Sequence, residues 1–214
     1  MTVAMIQTNL EGDHPIDKKL ALALDEIKPG EKPDLILLPE GYLSAGKDLI
    51  NTHFKFQWPI ASGAIMHTEK GISNSAVYFE PDNLTSENKI YTKQKLVPIA
   101  EEIPDFSPDW LKGYSHLDIA GPGPVTWLLP SSTKMTPLIC YEILFPKLVA
   151  TALQGGAQIL LNMSSDVWFN HTDELDQHFA MARARAIEFR IPVVRISDVG
   201  LSAIITPNGS VTFG

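Results

Sequence analysis

The sequence of 214 residues contains one cysteine, Cys140. A single cysteine rules out an internal disulfide and a cysteine-rich metal site. Its six histidines show no metal-ligand spacing, so no bound metal is expected. Long apolar runs are missing too. Spanning a bilayer takes ~20 apolar residues, whereas stretches such as Leu35–Leu38 and Ile159–Leu161 are short. Clustered positive charge is absent: the formal net charge is -8, which disfavours nucleic acid and anionic membrane surfaces as partners. No glycine-rich phosphate loop is present either. Gly121-Pro122-Gly123 lacks the strand–turn–helix setting that a nucleotide fingerprint needs, so no cofactor is expected.

What is present is an ordinary globular composition, 44% hydrophobic and 20% charged. The length suits a single domain over 1–214. Thr2–Gln7 already reads as a strand with no basic-then-apolar leader ahead of it. The expectation is a domain cut from a longer chain, or else a cytosolic protein.

Strand-like and helix-like segments alternate. Val3–Gln7, Leu35–Leu38, residues 58–66 and 74–80, Ile90–Tyr91, Val125–Leu129, Met135–Cys140, Gln158–Asn162, Pro192–Ser197 and Leu201–Thr206 have strand character. The continuous run Leu35–Leu38 suits a strand covered on both faces. Helical spacing marks His14–Lys28, with Ile16, Leu20, Leu24 and Ile27 on one face, and Lys147–Gln154. The strongest helix signal is Glu174–Arg190, with Asp173 as candidate cap and a stripe of Leu175, Phe179, Ala182, Ala186 and Phe189. Residues 98–124 hold five prolines and three glycines and read as a long ordered loop. This alternation gives an α/β fold.

Three reactive residues each follow an apolar strand: Glu40 after Leu35–Pro39, Lys93 after Ile90–Tyr91, and Cys140 after Pro137-Leu138-Ile139. Carboxyl ends of strands are where α/β folds gather ligands. Alone, Glu40 and Lys93 would be solvated charges and Cys140 a packed thiol; the ordered set points to nucleophilic catalysis. Arg185 and Glu188, three apart on one helix, read as an ion pair, and His178 as a packed helical histidine.

The set Leu37-Leu38-Pro39-Glu40, Tyr91-Thr92-Lys93-Gln94-Lys95-Leu96 and Ile139-Cys140-Tyr141-Glu142 resembles the nitrilase, or carbon–nitrogen hydrolase, superfamily. Within it, Lys93 to Glu101, Ile139 to Pro146, Asn162-Met163-Ser164-Ser165-Asp166-Val167-Trp168-Phe169 and Gln177 to Ala186 are similar to the nitrilase domain of bacterial apolipoprotein N-acyltransferases and its conjugal-transfer relatives. Gly41-Tyr42-Leu43-Ser44 and Ile99-Ala100 depart from the acyltransferase pattern.

The resemblance implies a four-layer α-β-β-α sandwich with two mixed sheets. It implies a thioester on Cys140, with Glu40 as general base and Lys93 as the charge that meets the oxyanion. The backbone N–H of Tyr141 is a second donor. Glu101, eight residues beyond Lys93, orients the substrate or assists proton movement. Tyr141, Glu142, Asn162, Asp166 and Trp168 line the pocket or support it. Glu142 shares a face with Cys140 if the chain there is extended. An activated thiolate at Cys140 would outpace free cysteine towards iodoacetamide. The implied acyl donor is a phospholipid and the acceptor an amine. The alternatives are a hydrolase of small amides and a non-enzymatic conjugation component. A periplasmic, membrane-anchored setting follows if the chain is part of a longer one, and a homodimer is compatible with the superfamily.

Overall fold

The computed structural model describes residues 1–7, 21, 24–25, 27, 30, 32–45, 57–81, 90–103, 117, 119–167 and 172–213. The first sheet takes β1 (Val3–Met5), β2 (Leu35–Ala45), β3 (Ile60–Thr68), β4 (Gly71–Phe79) and β5 (Ile90–Thr92), in that order. Its first two pairings are parallel and its last two antiparallel. The second sheet takes β6 (Trp127–Leu128), β7 (Lys134–Ile139), β8 (Ile159–Ser164), β9 (Val193–Ser197), β10 (Ala203–Ile205) and β11 (Val211–Phe213). Here β7, β8 and β9 run parallel while β6, β10 and β11 are antiparallel to their neighbours. Both sheets are mixed, as expected. Two helices, α1 (Pro146–Leu153) and α2 (Glu174–Phe189), follow β7 and β8.

Three apolar layers account for the packing. Between the sheets lie Leu35, Leu37, Ala61 and Tyr91 from the first and Met135, Ile139, Leu161 and Val194 from the second. Ile36, Leu38, Ile60 and Val77 point to the outer face of the first sheet, where Leu24 and Ile27 pack. Leu138, Leu160 and Val193 point to the outer face of the second, under Val149, Ala182 and Ala186 of the helices. The alternation 35, 37 against 36, 38 is the two-residue period of a strand buried on both faces. Most of the expected helix 14–28 lies outside the described residues; Leu24 and Ile27, two positions of its predicted stripe, face the core.

Two details depart from expectation. Asp173 does not cap α2 through its side chain; the Thr172 hydroxyl accepts from the Glu174 N–H at 3.3 Å instead. The buried stripe of α2 is His178, Ala182 and Ala186, with Phe179 and Phe189 only flanking it. Small residues at the centre let the helix approach the sheet closely. Arg185 and Glu188 do form the expected ion pair.

Candidate active site

Glu40 does not follow the end of a strand; β2 continues through it to Ala45. Strict alternation would send Glu40 outward with Ile36 and Leu38. The register of β2 on β3 shifts between Leu38 and Leu43, and Gly41 takes a left-handed φ of 65°. Such an irregularity re-aims one side chain, and it turns Glu40 towards Lys93. The neighbouring strand accommodates the turn only because it carries Gly63: a Cβ there would lie 2.4 Å from the Glu40 Cα.

Lys93 follows β5 two residues after the inward Tyr91, and its side chain is fully buried. Its Nζ donates to Glu101 Oε1 at 2.6 Å and to Glu40 Oε1 at 3.2 Å. Asn74 of β4 donates through Nδ2 to the same two oxygens, at 2.6 Å to Glu40 and 3.2 Å to Glu101. The other oxygens are held by backbone: Ser165 N–H reaches Glu40 Oε2 at 2.7 Å, and Val97 N–H reaches Glu101 Oε2 at 2.7 Å. Between Glu101 and Glu102, it is Glu101 that faces the lysine, while Glu102 is exposed. Burial alone would lower the Lys93 ammonium, but Glu40, Cys140 and Glu101 more than reverse this and hold it above its usual value.

Cys140 ends β7 with a φ of 49°, a left-handed conformation that a residue with a Cβ adopts only under constraint. It opens a 3-10 turn, Cys140–Leu144, rather than continuing as extended chain. Burial pushes its thiol up to about 12; the Glu40 charge adds to this, and Lys93 and a hydrogen bond with Ser164 pull against it. Burial and the Glu40 charge thus oppose a preformed thiolate, while Lys93 and Ser164 favour it.

Because of the 3-10 turn, Glu142 does not share a face with Cys140. Its carboxylate folds back under the turn and accepts from Ile139 N–H at 2.7 Å, Gln94 N–H at 2.7 Å, Lys95 N–H at 3.1 Å and the Tyr91 hydroxyl at 2.8 Å. Burial pushes its carboxyl up against the pull of these donors. One side chain thus ties the lysine loop of the first sheet to the cysteine turn of the second.

Asn162 and Asp166 are fully buried and are not among the residues that line the cavity. The expectation that they shape the pocket wall is therefore not met. Arg195 of β9, opposite Asn162 in register, bonds Asn162 Oδ1 and reaches Asp166 Oδ2 at 2.7 Å. Ser164 and Ser197 hydroxyls also donate to Asp166, each at 2.8 Å. Trp168 lies outside the described residues. Burial tends to raise the Asp166 carboxyl, but the His178 hydrogen bond and the Arg195 charge outweigh it and hold the group well below its usual 3.8. A carboxyl depressed on folding stabilises the fold at pH above its unfolded value, and that share is lost as pH falls below about 4 towards the folded value. Asp166→Asn is expected to flatten the decline of urea stability between about pH 4 and pH 2; parallel wild-type and variant curves would remove Asp166 from the acid limb.

Glu40, Lys93, Glu101 and Cys140 all face one cavity of about 810 Å³. Ile65, Ile72, Val97, Ala100 and Leu117 supply an apolar part of its wall, and Asn74, Ser165 and Asp198 a polar part. Asn74 and Asp198 were not singled out in the sequence, although Ser73-Asn74-Ser75 is a polar run inside an apolar strand. Asp198 accepts from Ser165 Oγ at 2.6 Å and from Asp166 N–H at 2.8 Å, which fixes the loop that carries the Ser165 donor. Arg195 had a signal too: a charge inside Val193-Val194-Arg195-Ile196 requires buried partners. Among the described residues no group of histidine, cysteine and carboxylate side chains could hold a metal ion, and no helix is long and apolar enough to cross a membrane.

Two mixed sheets faced by helices, with a carboxylate, a lysine and a cysteine meeting at one cavity, define a nitrilase-type domain. The chain belongs to the carbon-nitrogen hydrolase family, whose pattern it matches over residues 2–214. It is 32% identical to an apolipoprotein N-acyltransferase of Agrobacterium fabrum, over 90% of this chain and 40% of that one. It is 30% identical to the apolipoprotein N-acyltransferase of Borreliella burgdorferi, over 98% of this chain and 45% of that one. The chain therefore spans less than half the length of these relatives. Among solved structures it is similar to Saccharomyces cerevisiae Nit3, a member of branch 10 of the nitrilase superfamily, with a TM-score of 0.68, 20% identity and coverage of 98% of this chain and 83% of that one. It is also similar to a Nesterenkonia amidase variant with the acetamide moiety of fluoroacetamide added at its active-site cysteine, with a TM-score of 0.64, 16% identity and coverage of 98% and 83%.

Proposed function

We propose that this chain transfers acyl groups through a thioester on Cys140, with a phospholipid as donor and an amine as acceptor. The observation that carries the reading is the meeting of Cys140, Lys93, Glu40 and Glu101 at one cavity with apolar wall on one side. Glu40 takes the thiol proton as Sγ attacks the acyl carbon. Passing the thiol proton to a neighbouring carboxylate keeps it within the site, and no second negative charge builds up. The oxyanion meets the Lys93 ammonium and the Tyr141 N–H. Glu40 then returns the proton to the leaving oxygen; the amine attacks the thioester and gives a proton to Glu40, which passes it to the departing Cys140 sulfur as the amide forms. Glu101, bonded to Lys93 and clamped by the Val97 N–H, holds the ammonium in place. Kinship with apolipoprotein N-acyltransferases supports acyl transfer to an amine, and the cavity volume accommodates more than a short amide. In this reading the chain works at the periplasmic face of a membrane, alongside the further length that its relatives possess.

Intact-mass spectrometry after incubation with phospholipids, activated esters and short amides tests the proposal. A mass gain of one fatty acyl group from phospholipid, absent in Cys140→Ser, is the expected result. An adduct or turnover with short amides alone would replace the acyltransferase by an amidase. No adduct from any donor, with the protein folded, would leave an assembly role.

A further inference from the structure

Among the described residues, several buried titratable groups take no part in the mechanism above, and His178 is one of them. His178 sits on the inner stripe of α2, 8% exposed, and both ring nitrogens are engaged. Nε2 lies 3.1 Å from the carbonyl oxygen of Cys140. Nδ1 lies 3.0 Å from Asp166 Oδ1 and 3.4 Å from Arg195 Nη2. A carbonyl can only accept, so the proton on Nε2 is fixed by geometry. Asn162 Nδ2 donates to the same carbonyl at 3.4 Å. Asn162 and His178 are in turn anchored by Arg195 and Asp166. Asn162 Nδ2 also donates to the Leu138 carbonyl at 3.4 Å, so His178 is the closer grip on the Cys140 carbonyl, that of the residue with the left-handed φ.

The carbonyl of Cys140 and the N–H of Tyr141 belong to one planar trans peptide and point in opposite directions. Holding the carbonyl into the network therefore sets the direction of the N–H. We infer that His178 is a positioning residue: by gripping the Cys140 carbonyl it keeps the Cys140–Tyr141 peptide turned so that the Tyr141 N–H meets the oxyanion. This rests on the acyl-transfer reading and assigns no proton transfer to the imidazole. Without the grip, the peptide is free to rotate about the Cys140 Cα–C bond and the donor swings away, while the thiol, Glu40 and Lys93 keep their places.

Two reagents separate these effects. Iodoacetamide alkylates the thiol without forming an oxyanion, whereas p-nitrophenyl butyrate acylates it through one. His178→Ala is expected to leave alkylation within about threefold of wild type and to slow acylation on the order of 100-fold, the scale of a lost oxyanion donor. His178→Gln, whose amide can reach the carbonyl, restores most of the acylation rate; His178→Asn, too short to reach it, does not. Should His178→Ala show no cooperative thermal transition, the Gln and Asn pair decides. Equal acylation by Gln and Asn, a wild-type rate in His178→Ala, or alkylation and acylation falling by the same factor would overturn the positioning role alone. A wild-type protein that is alkylated but never acylated would overturn the acyl-transfer reading itself, and this one with it.

Discussion

Lys93→Met is expected to slow single-turnover acylation of Cys140 by about three to four orders of magnitude, roughly 4 to 5.5 kcal/mol of lost transition-state stabilisation. One part is the charge that meets the oxyanion. Another is the loss of order in the site. The Lys93 Nζ bridges Glu40 and Glu101 at 3.2 and 2.6 Å, and without it two carboxylates face each other with only Asn74 between them. Glu40 then turns away from Glu101 and no longer serves the thiol. Lys93→Arg is expected to fail nearly as badly, since a planar fork does not fit a slot shaped for one tetrahedral ammonium. Urea unfolding gives a second reading. Breaking a buried ion pair leaves its partner uncompensated at a cost of about 3–5 kcal/mol, and because the Glu40 and Glu101 side chains keep 8% and 15% exposure, the low end applies. Acylation within tenfold of wild type would remove Lys93 from the chemistry.

The second large effect falls on stability. Glu142→Ala deletes the acceptor for three backbone N–H groups and the Tyr91 hydroxyl. A buried donor left unmade costs about 1–3 kcal/mol. Water entering the vacated space recovers part of this, so a net loss of about 3–5 kcal/mol is expected, a large fraction of a typical domain's stability. The urea midpoint should drop with little change in slope. Glu142→Gln keeps one acceptor oxygen but sets an amide N–H against a donor, and should fall between the two. A loss below about 1 kcal/mol for the Ala variant would mean that the lysine loop and the cysteine turn hold their places without this carboxylate.

Much of this is legible in the sequence. Lys93 and Cys140 stand at the ends of short apolar segments, and local pattern suffices for such positions. The buried run Leu35–Leu38 announced a strand covered on both sides, and the two mixed sheets followed from the resemblance. What escaped depends on distance along the chain. His178 reads as a packed histidine because its partners, Asp166 and the Cys140 carbonyl, lie 12 and 38 residues away. A stripe drawn through the larger side chains of α2 passes over the line that is buried, His178, Ala182 and Ala186. Glu40 escaped in a different sense: its residue type was readable, but its direction depends on a shift in strand register that no local pattern displays. Whether Glu142 shares a face with Cys140 stays open in the sequence, because the left-handed turn at Cys140 carries no glycine to signal it.

The two sheets divide the reactive groups between them. Glu40, Asn74 and Lys93 belong to the first or to its continuation, and Cys140 and the Ser165 N–H to the second or to its loops. Neither sheet alone holds both nucleophile and base. The site comes into being only when the apolar faces close on each other, so it has no partly folded form with partial chemistry. Any opening of the sandwich, however brief, separates the thiol from Glu40 and Lys93 before either sheet need lose a hydrogen bond. The population of the closed sandwich therefore sets an upper limit on the fraction of molecules that can react, and thiol chemistry at Cys140 serves as a gauge of sheet docking that far-ultraviolet spectroscopy, which registers the strands and not their embrace, would miss.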